Sequence, residues 1–215
     1  MNIGRFLFIS VNASPITESY GDLKLDNPGL SLVWKNYCKY LNISSDMIGE
    51  DSHEICWLDR AKDVPEFSKI NYICLGFLSE GNLKTKELRG DEKQILIELN
   101  KILDKVQDNE WILCGWNIKN YDVPLLNKRF LVNKVRPHSI LPKADSKPWE
   151  MKQLFDLKEF WNGSLSRGIN SIDALYYSIC HDKNTEILEG LGEEENTKNR
   201  VSKMFKIVKE FSDIE

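Results

Sequence analysis

Short apolar runs alternate with segments of helical periodicity along this chain, and this alternation limits the folds that the chain can adopt. Residues 5–11, 70–77 and 111–115 are largely apolar and are bounded by polar turn residues, which is typical of buried strands. After Asp91, a predicted N-cap, residues 92–106 carry apolar side chains at every third or fourth position, which indicates an amphipathic helix. Strands interleaved with helices predict a domain of mixed α/β type.

The chain shows no internal repeat, linker or low-complexity run that would divide it, so we predict one domain over residues 1–215. Residues 42–63 show no clear pattern and are expected to be an irregular excursion. The Gly- and Glu-rich stretch at 190–200 is predicted to be a solvated loop. Residues 201–211 are predicted to form a final amphipathic helix, because their apolar side chains recur on one face.

Charge and cysteine usage narrow the environment and the partners of the chain. The formal net charge of −4 excludes a surface that is basic throughout, so any phosphate binding must come from a local patch. The five cysteines are odd in number and lie mostly in apolar runs, as reduced core thiols do. No window approaches the roughly 20 apolar residues of a membrane span, and the first residues lack the layout of a signal peptide. We therefore expect a cytoplasmic protein without a membrane partner.

The segment 114–126 is the most informative part of the sequence for function. A strand ends there, a loop offers the amide of Asn117 and the carboxylate of Asp122, and a helix begins at once. This arrangement presents loop residues at the carboxyl edge of a sheet. Taken alone, both residues also have a structural explanation, because Asn satisfies loop backbone and Asp caps helices.

This segment resembles the second motif of the predicted 3'-5' exonucleases related to the proofreading domain of family B DNA polymerases, a branch of the DEDD exonucleases. That motif reads Gly-His-Asn, three residues, then Phe-Asp-x-Pro; here Trp116 replaces the His and Tyr121 replaces the Phe. Further matches follow in the same order between residues 5 and 180, namely 65–70 with 74–76, Lys128-Arg129, 147–150, 155–161 and 171–175. The resemblance implies a ribonuclease-H-like fold, in which helices flank a mixed sheet.

The resemblance also implies four carboxylates that hold two divalent ions, Mg²⁺ or Mn²⁺, against the scissile phosphate. The first two would form an Asp-x-Glu pair at the end of the first strand, where residues two apart share a face. Ser10 and Asn12 occupy these two positions, and Asp122 keeps the third. The fourth position falls on Glu215, with Asp213 as an acid that is out of register.

Loss of the first two carboxylates removes two negative charges that would face the metal ions. We therefore predict a catalytically impaired protein with no certain cofactor. One alternative is an active exonuclease that holds a single Mg²⁺ or Mn²⁺ ion through Asp122, a C-terminal acid and Glu18. Ordering the loop that carries Glu18 would cost conformational entropy.

A basic and aromatic stretch suggests that binding survives. Between Lys119 and Lys152 there are eight basic and three acidic residues. Basic side chains contact phosphates, and aromatic rings stack on unpaired bases. We predict binding to single-stranded DNA or RNA ends through Trp116, Lys119, Tyr121, Lys128, Arg129, Lys147 and Trp149. The alternatives are a replication or defence protein as the partner of the impaired exonuclease, a chain that acts purely as a protein-interaction module, and a lysine-rich face that is only solvated.

Overall fold

A computed structural model describes residues 2–41, 50–143, 146, 151–163, 170–181 and 192–214. The chain divides into two compact units, a larger one of Met1–Asn12 with Asn71–Glu215 and a smaller one of Ala13–Ile70. The single domain over 1–215 stays a prediction, and each unit is described by itself. No helix within the described ranges combines the length and the apolarity that crossing a membrane requires.

A five-stranded sheet of mixed direction forms the centre of the fold. Its strands are β1 (Phe6–Pro15), β2 (Ser68–Ser79), β3 (Asn82–Arg89), β4 (Ile112–Gly115) and β5 (Leu154–Asp156), in the order β3-β2-β1-β4-β5. β2 and β3 form an antiparallel hairpin, whereas β4 runs parallel to both β1 and β5. The predicted α/β fold with a mixed sheet is confirmed.

Eight α-helices occur in the described residues. They are α1 (Tyr20–Asp26), α2 (Pro28–Tyr40), α3 (Glu50–Arg60), α4 (Glu92–Asp108), α5 (Asp122–Val132), α6 (Leu157–Asn162), α7 (Ile172–Cys180) and α8 (Glu193–Ile214). The last five belong to the larger unit and, with the sheet, give the predicted arrangement of helices flanking strands. Asp91 caps α4 as predicted, since its Oδ1 accepts a hydrogen bond from the N–H of Gln94 at 3.1 Å.

One face of the sheet packs against α7 and α8. Phe6 and Phe8 of β1 share a core cluster with buried residues of both helices, and the Phe8 and Phe205 rings meet edge to face at 5.9 Å. Gly76 of β2 lets α8 approach closely, because a side-chain carbon there would overlap the Val201 side chain. The position of α8 against β1 and β2 is thereby fixed.

The final helix begins earlier than the sequence predicts. Residues 193–200 are the first two turns of α8 and not a solvated loop. Three glutamates in the first turn stabilise the helix N-terminus through the helix dipole. Thr197 and Val201 are buried, so this part of α8 is also held by packing. Residues 190 and 191, the start of the predicted loop, lie outside the described residues.

The smaller unit forms a core of its own around two tryptophans. The Trp34 and Trp57 rings meet edge to face at 5.0 Å, and both lie against Phe67. Each indole N–H donates to a backbone carbonyl, Trp34 to that of His53 and Trp57 to that of Thr17. Residues 50–60, expected to be irregular, form α3 because Trp57 gives that segment a buried side.

Candidate functional site

Asp122 begins α5, and its carboxylate completes the hydrogen bonding of β1. The residue is 5% exposed, and its Oδ1 accepts a hydrogen bond from the backbone N–H of Val11 at 3.3 Å. The parallel pairing of β1 with β4 joins Phe6–Phe8 to Ile112–Cys114. Val11 follows this paired stretch, so Asp122 satisfies a strand amide that lies beyond it.

The environment of Asp122 favours its protonated form. Burial raises the pKa of Asp122 from 3.8 to about 7, because the buried carboxylate loses hydration. The hydrogen bond from Val11 and the positive charge of Arg200 act in the opposite direction, whereas the negative charge of Asp156 raises the pKa further. The carboxyl is therefore partly protonated near neutral pH. Divalent cations bind the deprotonated form, so metal binding at this carboxyl would have to displace its proton.

Ser10 and Asn12 lie next to Val11 on β1. Because strand residues two apart point to the same side, both share the face of Phe8, which α8 covers. Ser10 is buried, and the side-chain Oδ1 of Asn12 is buried without a hydrogen-bond partner in the described part of the chain. The predicted positions 10, 12 and 122 are thus brought together around the amide of Val11.

These residues do not fit the two-metal centre that the resemblance implies. Of positions 10, 12 and 122, only Asp122 provides a carboxylate. That carboxylate is buried and accepts a hydrogen bond from the backbone N–H of Val11. Within the described ranges, no group of three or more His, Cys, Asp or Glu side chains is placed to hold a metal ion. Of the predicted fourth position, Asp213 lies in the last turn of α8, and Glu215 lies outside the described residues.

Arg200 is a charged residue of the site that sequence reasoning missed. It precedes Val201, which packs on Gly76, and its positive charge acts on the Asp122 carboxylate. The guanidinium is exposed and makes no hydrogen bond or ion pair with the residues that the structure describes. The predicted loop over 190–200 gave no reason to place Arg200 near the site. Arg200 lies near the sheet because it belongs to α8, whose Val201 packs on Gly76.

Asp156 is a second residue that sequence reasoning did not single out. It is buried at the end of β5, where its carboxylate accepts the backbone N–H groups of Asn117 at 3.1 Å and Lys119 at 3.0 Å. The same carboxylate caps α6 through Lys158 and Glu159. Asn117 adopts a left-handed backbone with a φ of 61°, which asparagine tolerates better than most residues. Asn117 therefore shapes this loop, and Asp156 holds it.

Arg129 requires a correction to its predicted role. Its side chain is 6% exposed and forms a two-point ion pair with Glu92 of α4, at 2.8 and 2.6 Å. A guanidinium held in this way does not face a phosphate. The sequence places Arg129 among the surface lysines, because no local pattern distinguishes a buried basic residue on a short helix from an exposed one.

The other predicted nucleic-acid contacts differ in their surroundings. Trp116, Lys119 and Tyr121 share the loop before α5 and are half-buried, and the Lys119 Nζ lies 2.5 Å from Glu159. Lys128 is exposed on α5. The remaining two, Lys147 and Trp149, lie outside the described residues. The structure therefore gathers three of the seven predicted contacts into one loop.

Comparison with known proteins supports the fold. The sequence matches no protein-family model, and no curated protein matches it. Among solved structures, the chain is similar to the family B DNA polymerase of the hyperthermophilic archaeon Pyrobaculum calidifontis, with a TM-score of 0.52 and 11% sequence identity. The match covers 97% of this chain and 24% of the polymerase chain, so the present chain spans about a quarter of that protein. The larger protein thus contains a fold related to this one, consistent with the ribonuclease-H-like arrangement of a mixed sheet and flanking helices.

Proposed function

We propose that this chain is a degenerate 3'-5' exonuclease domain that binds single-stranded nucleic acid and does not cleave it. The observation that carries the proposal is the state of Asp122. Its carboxylate is buried and bonded to a strand amide, while its neighbours Ser10 and Asn12 bring no charge. Two-metal cleavage requires several ionised carboxylates directed at the metal ions.

The charges around the same site favour a polyanion. Asp122 carries a reduced negative charge near neutral pH, and the positive charge of Arg200 acts on it. A phosphate near positions 10, 12 and 122 therefore meets less repulsion than it would beside four carboxylates. The adjoining loop with Trp116 and Tyr121 supplies aromatic surface of the kind that stacks on unpaired bases.

We further propose a cytoplasmic location. All five cysteines are free thiols, and four of them are buried. Buried, unpaired thiols are typical of proteins from reducing compartments. A replication or defence protein is the alternative partner if nucleic acid does not bind.

The test combines cleavage and binding in one set of samples. The purified protein is incubated with a 3'-overhang DNA and a matching RNA in Mg²⁺, in Mn²⁺ and in EDTA, beside Asp122→Asn and the control Asp108→Asn. Asp108 is exposed on α4. We expect no shortening of either substrate, and bound fractions that are the same with and without metal.

Two results would contradict the proposal. Metal-dependent shortening that Asp122→Asn abolishes and Asp108→Asn preserves would mean that an active site with other ligands exists. Absence of both cleavage and binding at low salt would instead favour the protein-interaction module.

A further inference from the structure

Two aromatic side chains of α6 lie at the surface of the larger unit. Phe160 is 51% exposed and Trp161 is 46% exposed. The indole N–H of Trp161 makes no hydrogen bond, and its ring contacts no other ring, among the residues that the structure describes. Tryptophan usually buries most of its ring and satisfies its N–H within the fold, as Trp34 and Trp57 do. Packing within the described ranges therefore does not explain Trp161.

The helix that carries these rings is fixed in place before any ligand binds. Asp156 caps its N-terminus and accepts two backbone N–H groups of the first turn. The centre of the Phe160 ring lies 5.2 Å from that of Phe155 on β5 and 5.2 Å from that of Phe211 on α8. A surface that is already ordered loses less conformational entropy on binding.

The loop that precedes α5 adjoins α6. Asp156 accepts the backbone N–H groups of Asn117 and Lys119 from that loop, and the Lys119 Nζ lies 2.5 Å from Glu159 of α6. Trp116 of the same loop is half-buried and packs against the core cluster of the sheet. The rings of α6 are therefore the more accessible aromatic surface next to the loop with the predicted nucleic-acid contacts.

The charges around α6 are nearly balanced. Lys119 and Glu159 pair with each other. The Asp156 carboxylate is buried and accepts four backbone N–H groups, two from the loop and two from α6. Lys158, half-buried one turn before Trp161, adds one positive charge. Such a surface does not repel a polyanion, but it lacks the several cations that phosphate binding uses. It suits an uncharged base better than a phosphate.

The accessible area of the two rings also fits a base better than a protein. Two half-exposed aromatic side chains offer on the order of 200 Å², whereas a stable protein interface takes about 800 Å² from each partner. Leu157, the other large apolar residue of α6, is buried and adds nothing to this area. Unpaired bases, in contrast, stack on single aromatic side chains.

We propose that Phe160 and Trp161 form a platform on which unpaired bases of a single-stranded nucleic acid stack. This inference rests on the proposed nucleic-acid binding and assigns base contacts to α6. Stacking requires no particular base, because every base has an aromatic face. It also neutralises no phosphate, so its contribution to affinity should not depend on the salt concentration.

The test compares two labelled strands of equal length, an oligothymidylate and an abasic strand that keeps only the sugar–phosphate backbone. Fluorescence anisotropy measures the binding of each strand over a range of salt concentrations. Trp161→Ala should weaken binding of the oligothymidylate about tenfold, through loss of one stacked base. The same change should leave both the affinity for the abasic strand and the slope of log K against log salt unaltered.

Further variants separate the aromatic ring from apolar area alone. Trp161→Phe keeps a ring and should keep most of the affinity for the oligothymidylate. Trp161→Leu keeps apolar area without a ring and should bind as weakly as Trp161→Ala. The matched control is Tyr40→Ala, which removes a ring that is 84% exposed on α2 of the smaller unit and should leave binding unchanged.

The outcomes distinguish this inference from the function on which it rests. If the unchanged protein binds the oligothymidylate and Trp161→Ala keeps that affinity, the platform is excluded while nucleic-acid binding stands. Equal weakening toward the abasic strand would also exclude it, because the lost contact would then not be to a base. If the unchanged protein binds neither strand at low salt, the proposed function fails and this inference fails with it.

Discussion

The buried carboxyl of Asp122 links the stability of this protein to pH. Its pKa is about 7 in the folded chain, against 3.8 when it is unperturbed, so the folded state holds a proton that the unfolded state releases near pH 4. The free energy of unfolding therefore falls as the pH rises from about 4 to about 7, and this contribution levels off above that range. At 1.4 kcal/mol per pKa unit, the total change is on the order of 4 kcal/mol.

Asp122→Asn should remove this dependence. The amide oxygen still accepts the Val11 N–H, but it carries no ionisable proton. We expect the variant to be more stable than the unchanged protein at pH 8 and to differ less from it at pH 5, as measured by urea unfolding at both values. Asp108→Asn, an exposed change on α4, should leave the pH dependence intact. A pH profile that Asp122→Asn does not alter would show that the residue is ionised in both states.

Arg200 should act on the same titration from a distance. Its positive charge lowers the pKa of Asp122, so Arg200→Gln should move that pKa upward. A ¹³C NMR titration of the Asp122 carboxyl measures the shift, with Lys101→Gln on α4 as a charge-matched control. An unchanged or lower midpoint in the Arg200 variant would contradict the charge–charge interaction between Arg200 and Asp122.

At the scale of elements, the pair of Arg129 and Glu92 joins α5 to α4. Both side chains are largely buried, at 6% and 12% exposure, and Asn133 also donates to Glu92. Arg129→Ala leaves a buried carboxylate uncompensated and should lower the free energy of unfolding by about 3 kcal/mol. Lys128→Ala, on the exposed side of the same helix, should change it by less than about 0.5 kcal/mol.

A double variant of Arg129 and Glu92 tests whether the loss of stability in Arg129→Ala comes from the unpaired, buried charge of Glu92. Removing Glu92 as well as Arg129 should restore part of the stability, because no buried charge is then left alone. Denaturant unfolding of the four proteins of this cycle gives the coupling energy. A double variant as unstable as the sum of the two single changes would mean that the pair contributes little.

The contact between β2 and α8 makes a second prediction at this scale. Gly76→Ala places a methyl group against Val201 and Leu83 and should cost about 1–3 kcal/mol of stability. Adding Val201→Ala should recover part of that loss. Gly192→Ala, where the added methyl group meets no atom within 4 Å, serves as the control in thermal unfolding. Equal stability of Gly76→Ala and the unchanged protein would contradict the close approach of α8.

The elements that sequence reasoning predicted are those whose signal is local. α4 has both its Asp91 cap and a regular apolar face, and each was readable from neighbouring residues. The helical state of α3 and of the first turns of α8 could not be predicted in this way, because the burial of Trp57 and Thr197 becomes visible only in the folded chain. Glutamates at 193–195 indicate a solvated loop and a helix N-terminus equally well until that packing is known.

For the whole molecule, the order of strands and helices predicted the α/β class correctly, and the mixed sheet is the one that the resemblance implies. That sheet brings positions 10 and 12 next to the amide that Asp122 binds. The sequence could not predict which basic residues are exposed. Arg129 is buried although its neighbour Lys128 is exposed, and only the fold distinguishes the two. Arg200 reaches the site only through the register of α8 on the sheet.

The arrangement of metal-binding side chains predicts that Mg²⁺ does not stabilise this protein. No cluster of metal-binding side chains occurs in the described ranges, and Asp122 is already hydrogen-bonded to Val11. A ligand that binds only the folded state raises the melting temperature. Addition of Mg²⁺ or EDTA should therefore leave the melting temperature in a thermal scan unchanged at constant ionic strength. An increase with Mg²⁺ that Asp122→Asn removes would reveal a site built around that residue.

The hydrogen bond between Asp122 and Val11 gives the acid at position 122 a structural role that does not depend on catalysis. The backbone N–H of Val11 needs only an acceptor oxygen, and an aspartate or an asparagine side chain can supply it. Asparagine would do so without burying a charge. Selection for the fold alone would therefore tolerate drift from aspartate to asparagine at this position. The acceptor role of Asp122 toward β1 therefore means that an acid at this position does not by itself identify a catalytic carboxylate.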